Sequence, residues 1–111
     1  MASQKPPRKR RNKYGAVRTK IGDLTFDSKK EAARWLVLKD EEEQGLITDL
    51  QRQVPFQLFG KGRSGAKYVA DFTYVRDGAA TVEDCKGRLT DVYRLKKKMM
   101  KEFLNIDILE T

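Results

Sequence analysis

The chain contains no histidine among its 111 residues and a single cysteine. Without histidine there is no imidazole base, which excludes the serine and cysteine hydrolases built on one and the metal nucleases that need histidine. A lone Cys85 cannot close an internal disulfide, nor can it build a zinc site without histidine partners. Long apolar runs are also missing. No stretch approaches the roughly 20 residues that span a bilayer, and the charged N-terminus leads into no apolar segment of the kind a secretory signal carries. The composition points to a cytoplasmic protein with no membrane partner. Any acid–base or metal chemistry must therefore come from Asp, Glu, Lys, Tyr or water.

What is abundant is charge. Charged residues make up 36% of the chain and the net charge is +8. Residues 1–20 hold eight of the 24 bases and no acid, and the remaining 16 bases balance 16 acids. A basic block of this kind suits a polyanion, most simply nucleic acid, through phosphate contacts and counterion release. A solvated tail that aids solubility is the plainer alternative. Residues 1–13 read as a disordered basic arm, with Arg8, Lys9, Arg10, Arg11 and Lys13 as candidate nucleic-acid contacts. Residues 14–111 read as one domain.

Within that domain the pattern is α/β. Ala16–Ile21 and Leu24–Phe26 flank Gly22-Asp23 as a short hairpin. Ser28 with Glu31 three residues on opens a helix as a capping box, and Gly45 stops it. Val54, Phe56 and Leu58 alternate as a strand, with Pro55 marking an edge or a bulge. Gly60–Gly65 reads as a basic hairpin tip. Lys67–Val75 and Ala79–Lys86 are strands joined by Asp77-Gly78, a strong hairpin signal. Thr90 or Asp91 caps a second helix running to Leu104, with Val92, Leu95, Met99 and Phe103 as its expected buried stripe. Ile106–Leu109 is a last strand, expected to join the sheet in parallel. The order is helix, three strands, helix, strand, preceded by a short hairpin, in a mixed sheet.

The chemistry concentrates at Val82-Glu83-Asp84-Cys85-Lys86. Side chains alternate along a strand, so Asp84 and Lys86 share one face while Glu83 and Cys85 share the other. Counting outward from the turn, Asp71 falls opposite Asp84 within about one residue. Two facing carboxylates repel, and a hard divalent cation relieves that repulsion. Oxygen ligands favour Mg2+ or Mn2+, which also bind phosphate oxygens. The backbone carbonyl of Cys85 is a further candidate ligand, and Lys86 is placed to orient a water or steady developing negative charge. A same-face ion pair between Asp84 and Lys86 is the structural alternative. Tyr93, Lys96 and Lys97 on the second helix are candidate phosphate contacts, against a solvated helix face.

These residues resemble the PD-(D/E)-x-K nuclease superfamily, whose restriction-endonuclease-like core has this same order of elements. Four blocks in order, Asn12–Gly15, Phe26–Ala32, Tyr68–Phe72 and Val82–Gly87, are similar to a family of small phage proteins related to Holliday junction resolvases. The resemblance implies a Mg2+-dependent endonuclease acting on branched or double-stranded DNA in an infected host cell. Asp71 and Asp84 would be its metal ligands, Lys86 its catalytic lysine and Glu31 an additional acid. Symmetric cutting of a four-way junction would need two active sites, hence a homodimer. The chain departs from the superfamily at Ala70, where proline is common. Glu31 has a competing role as partner of the Ser28 cap. A non-catalytic nucleic-acid-binding module on the same fold is the alternative to an enzyme.

Overall fold

The computed structural model describes residues 18–85 and 90–111. Its elements are β1 (Thr19–Ile21), β2 (Leu24–Phe26), α1 (Lys29–Glu43), β3 (Ile47–Phe59), β4 (Ala66–Arg76), β5 (Ala79–Asp84), α2 (Asp91–Leu104) and β6 (Ile108–Glu110). The expected order is the observed one. β1 and β2 form a separate antiparallel hairpin, and the main sheet runs β3-β4-β5-β6. Its pairs are antiparallel except β5–β6, which is parallel, with Val82 beside Ile108. The sheet is thus mixed, and β3, which carries Pro55, is an edge strand. The basic arm over residues 1–13 lies outside the described residues, as does Lys86.

Local chemistry explains the boundaries. Ser28 is extended at φ −152°, and its Oγ accepts the Glu31 N–H at 3.1 Å, capping α1. Thr90 Oγ1 does the same for α2 by accepting the Tyr93 N–H at 3.1 Å. Asp77 and Gly78 both adopt positive φ, 52° and 77°, the conformation a two-residue hairpin requires. No helix among the described residues is long and apolar enough to cross a membrane.

Two apolar cores flank the sheet. Phe26, Ala32, Leu38, Ile47, Phe72, Tyr74 and Cys85 form one with α1 and the β1–β2 hairpin. Leu58, Tyr68, Ala70, Val82, Tyr93, Met100 and Ile108 form the other beneath α2. Regular alternation would keep residues 68, 70, 72 and 74 of β4 on one face. Instead Tyr68 and Ala70 join the α2 core while Phe72 and Tyr74 join the α1 core. β3 behaves alike, sending Ile47 and Leu50 to the α1 core and Phe56 and Leu58 to the α2 core. The change of face falls at Asp71 and at Gln53, which lies between the pairs Arg52–Phe72 and Val54–Ala70. Gln53 has φ 54°, a left-handed conformation that costs a non-glycine residue ~1 kcal/mol. Strain of this kind recurs at functional sites.

The expected stripe of α2 is corrected. Tyr93 and Met100 are the buried residues, whereas Val92, Leu95 and Phe103 are 63%, 59% and 54% exposed. Met99 packs at the margin of the core. The helix is turned because the Tyr93 ring lies 6.3 Å from that of Tyr68, and its hydroxyl donates to Glu110 Oε2 at 2.8 Å. That bond anchors the polar end of an otherwise apolar side chain on β6, which Val92 and Leu95 cannot do.

Candidate functional site

Asp71 and Asp84 come together by register. The β4–β5 ladder ends with Phe72 beside Glu83, and Asp71 and Asp84 are the next residue on each strand beyond that pair. Both are buried, Asp84 completely and Asp71 at 9% exposure. Asp71 Oδ2 accepts the backbone N–H of Cys85 at 2.8 Å, which fixes its carboxylate against the end of β5. Asp84 Oδ2 accepts the hydroxyl of Tyr68. Burial, and then the Asp84 carboxylate, push the Tyr68 phenol well above its ordinary range, so it stays a neutral donor. The Cys85 backbone is thus engaged here through its amide. Its side chain is buried, and burial pushes the thiol up to about 11.

Glu31 approaches from α1. It is 3% exposed, and its Oε2 accepts the Gln53 amide at 3.1 Å. Burial raises its pKa, with Asp27 adding to the rise and Arg52 opposing it. The Ser28 cap uses only the Glu31 backbone N–H, so the cap and a role for the carboxyl are compatible. The negative charges of Asp71 and Glu31 both bear on the Cys85 thiol, and those of Asp71 and Asp84 both bear on Tyr68 and Tyr93. Asp71 thus shares its surroundings with Glu31 at Cys85 and with Asp84 at Tyr68. Among the described residues, no three Asp, Glu or Cys side chains group tightly enough to hold a metal ion by themselves. Asp71 and Asp84 supply an all-oxygen, two-carboxylate donor set, which fits magnesium's habit of taking one or two carboxylates and keeping several waters.

Glu83 faces the other way, as alternation requires. It is fully buried on the α1 side, where Arg34 donates Nε to Oε2 at 2.6 Å and Nη2 to Oε1 at 2.9 Å. The Tyr74 hydroxyl donates to Oε1 at 2.6 Å and Thr111 Oγ1 to Oε2 at 3.0 Å. Burial pushes the Glu83 carboxyl up, but Arg34 and Tyr74 more than reverse this and leave it below the ordinary range. Its contacts are structural: a clamp joining α1 to β5.

Of the α2 residues expected at a phosphate backbone, Tyr93 is 6% exposed with its ring in the core, where no phosphate reaches it. Lys97 pairs with Glu110 at 3.0 Å. Lys96 is half-buried on the same helix. Lys86, and with it Arg8, Lys9, Arg10, Arg11 and Lys13, lies outside the described residues. Sequence reasoning missed Tyr68 as a partner of Asp84 and Arg34 as the partner of Glu83. Tyr68 carried a signal in its phenol on an inward position of the neighbouring strand. Arg34, 49 residues from Glu83, carried none.

A protein-family model matches residues 11–108, nearly the whole chain, and its description reads "Protein of unknown function (DUF1064)". No curated protein matches the chain, and no solved structure matches it.

Proposed function

We propose that this chain, which belongs to the DUF1064 family, is a metal-dependent endonuclease that hydrolyses DNA phosphodiesters, with branched DNA as its substrate. The observation that carries the reading is the pair of buried carboxylates, Asp71 and Asp84, each one residue beyond the last pair of the β4–β5 ladder, in a helix–three strands–helix–strand core. The order of elements is that of the PD-(D/E)-x-K nucleases, and the motif residues stand in sequence at Asp71, Asp84 and Lys86.

Asp71 and Asp84 would hold Mg2+ or Mn2+, with the Cys85 carbonyl as a candidate third oxygen. When bound, such a cation supplies charge neutralisation at the phosphate and a more acidic water. The chain's own residues do the rest. The Cys85 N–H aims Asp71, and the Tyr68 hydroxyl aims Asp84. Glu31, raised in pKa and held by Gln53, is an acid that can retain or release a proton nearer neutrality than an ordinary carboxylate. Lys86, next in sequence to Cys85, would supply the positive charge that the resemblance assigns to a catalytic lysine. Paired cuts on a four-way junction call for a homodimer, acting in the cytoplasm of an infected cell.

A second reading, a non-catalytic DNA-binding module, draws on the absence of a three-acid cluster among the described residues. Purified protein incubated with linear, flapped and four-way DNA, with magnesium and with a chelator, separates the two. Cleavage confined to the metal-containing reactions and strongest on branched substrates supports the enzyme. Tight binding with no strand breaks even in magnesium supports the binding module.

A further inference from the structure

The β3–β4 hairpin outgrows the sheet. β4 pairs with β5 only over Phe72–Arg76, while its ladder with β3 continues to Phe59 and Ala66. Beyond Asp71 the two strands form a ribbon of five residue pairs over Val54–Phe59, roughly 20 Å long at about 3.3 Å per residue. Residues 54–70 contain Lys61, Arg63 and Lys67 and not one acid. In a chain where 16 acids are spread over the other elements, that exclusion gives the ribbon a single sign of charge.

The ribbon has two unlike faces. Phe56, Leu58, Tyr68 and Ala70 turn inward to the core under α2. Pro55, Gln57, Phe59, Lys67 and Val69 are exposed, with Pro55 paired to Val69 and Gln57 to Lys67 across the strands. Phe59 is 50% exposed and Val69 37%, so the outer face mixes apolar and basic groups.

The tip is a shaped loop. Gln57 Nε2 donates to the carbonyls of Phe59 at 3.0 Å and Gly60 at 2.9 Å. Gly60 and Gly62 take positive φ, 67° and 54°. A Cβ on Gly65 would lie 2.6 Å from the Phe59 carbonyl oxygen, a clash with backbone. Glycine here permits a close crossing of the loop backbone that carries Lys61 and Arg63, both exposed.

We propose that this ribbon is the DNA-gripping element of the molecule: its outer face and tip enter the groove of duplex DNA beside the scissile phosphate. A two-stranded ribbon fits the major groove of B-DNA, whereas the deep, narrow major groove of duplex RNA does not admit it. Charge complementarity selects the phosphate backbone, with Lys61, Arg63 and Lys67 as its contacts and Phe59 against sugar or base. The ribbon leaves the sheet at Asp71 and Gln53, and Gln53 holds Glu31, so a duplex gripped along it is led to Asp71 and Glu31. This inference takes DNA as the partner from the functional reading but does not depend on cleavage.

Binding is therefore measured on the full chain in chelator, with a fluorescent four-way junction across a series of salt concentrations. The triple variant Lys61→Gln, Arg63→Gln, Lys67→Gln should bind at least tenfold more weakly, and its log–log salt slope should fall by about 3, near one unit per lost phosphate contact. The triple variant Lys96→Gln, Lys98→Gln, Lys101→Gln on α2 should change the slope less. Phe59→Ala should weaken binding with the slope unchanged. Wild type that binds but does not cut when magnesium is restored contradicts the nuclease and leaves the ribbon standing. An unchanged slope in the ribbon variant, or equal affinity for duplex RNA, overturns the ribbon.

Discussion

Glu83 and Asp84 are consecutive, both acidic and both fully buried, and the fold uses them in opposite ways. Glu83 looks toward α1, where a bidentate arginine and two hydroxyls meet its carboxylate. Asp84 looks toward the α2 side, held by Tyr68, whose surroundings also include a second carboxylate, Asp71. A buried anion matched by a guanidinium is a structural joint; a buried anion set against another is a reason to bind a cation. One step along a strand separates the two roles. The lesson is that burial and acidity alone do not nominate a catalytic residue, and the partners on its face do.

The largest effect that would sharpen this contrast is on cleavage. Asp71→Asn should reduce magnesium-dependent cleavage on the order of 10³-fold, ~4 kcal/mol of transition-state stabilisation, while its thermal melt stays close to wild type. Gel assays under single-turnover conditions measure the first and circular dichroism the second. A variant that cuts at the wild-type rate removes Asp71 from the site.

Next comes the clamp. Glu83→Gln leaves Arg34 without its counter-ion and should cost about 3 kcal/mol in urea unfolding, with Arg34 only 25% exposed. The pH dependence has a definite sign. A folded-state pKa below the ordinary 4.5 contributes stability above that value and loses it as pH falls through the folded pKa. The gap between wild type and Glu83→Gln should therefore narrow in acid below about pH 4.5. A gap that widens there breaks the assignment of Glu83 as the ionised partner.

Tyr68→Phe should cost 1–2 kcal/mol, roughly the penalty for removing a donor from a buried carboxylate, and reduce cleavage less than tenfold. The smallest effect has the opposite sign. Glu31 has a raised pKa, so its ionised form costs stability, and that cost grows as pH rises through the folded value. Glu31→Gln should then stabilise the fold at neutral pH and not in acid, while lowering cleavage. Loss of stability at pH 7 would return Glu31 to a purely structural place.

Much of this arrangement was legible in the sequence because it is local. Alternation alone assigned Glu83 and Asp84 to opposite faces. The Asp77-Gly78 turn set the β4–β5 register that brings Asp71 to Asp84, and Ser28 and Thr90 marked the helix starts through their own hydroxyls. What was hidden depends on distant partners. The rotation of α2 is decided by Tyr93 reaching Glu110 on β6, so a stripe reading Val92, Leu95, Met99 and Phe103 pointed to the wrong face. The joint between Arg34 and Glu83 looks in sequence like one more charge on a solvated helix. The change of face at Gln53 and Asp71 is a backbone event at a non-glycine residue, and no residue type announces it.

The most direct measurement is magnesium-dependent cleavage of a four-way junction by wild type, Asp84→Asn and Glu83→Gln, run side by side below the melting temperature of all three. The account predicts that wild type and Glu83→Gln cut and that Asp84→Asn, equally folded, does not. Cleavage by Asp84→Asn at the wild-type rate, or no cleavage by any of the three, would contradict it.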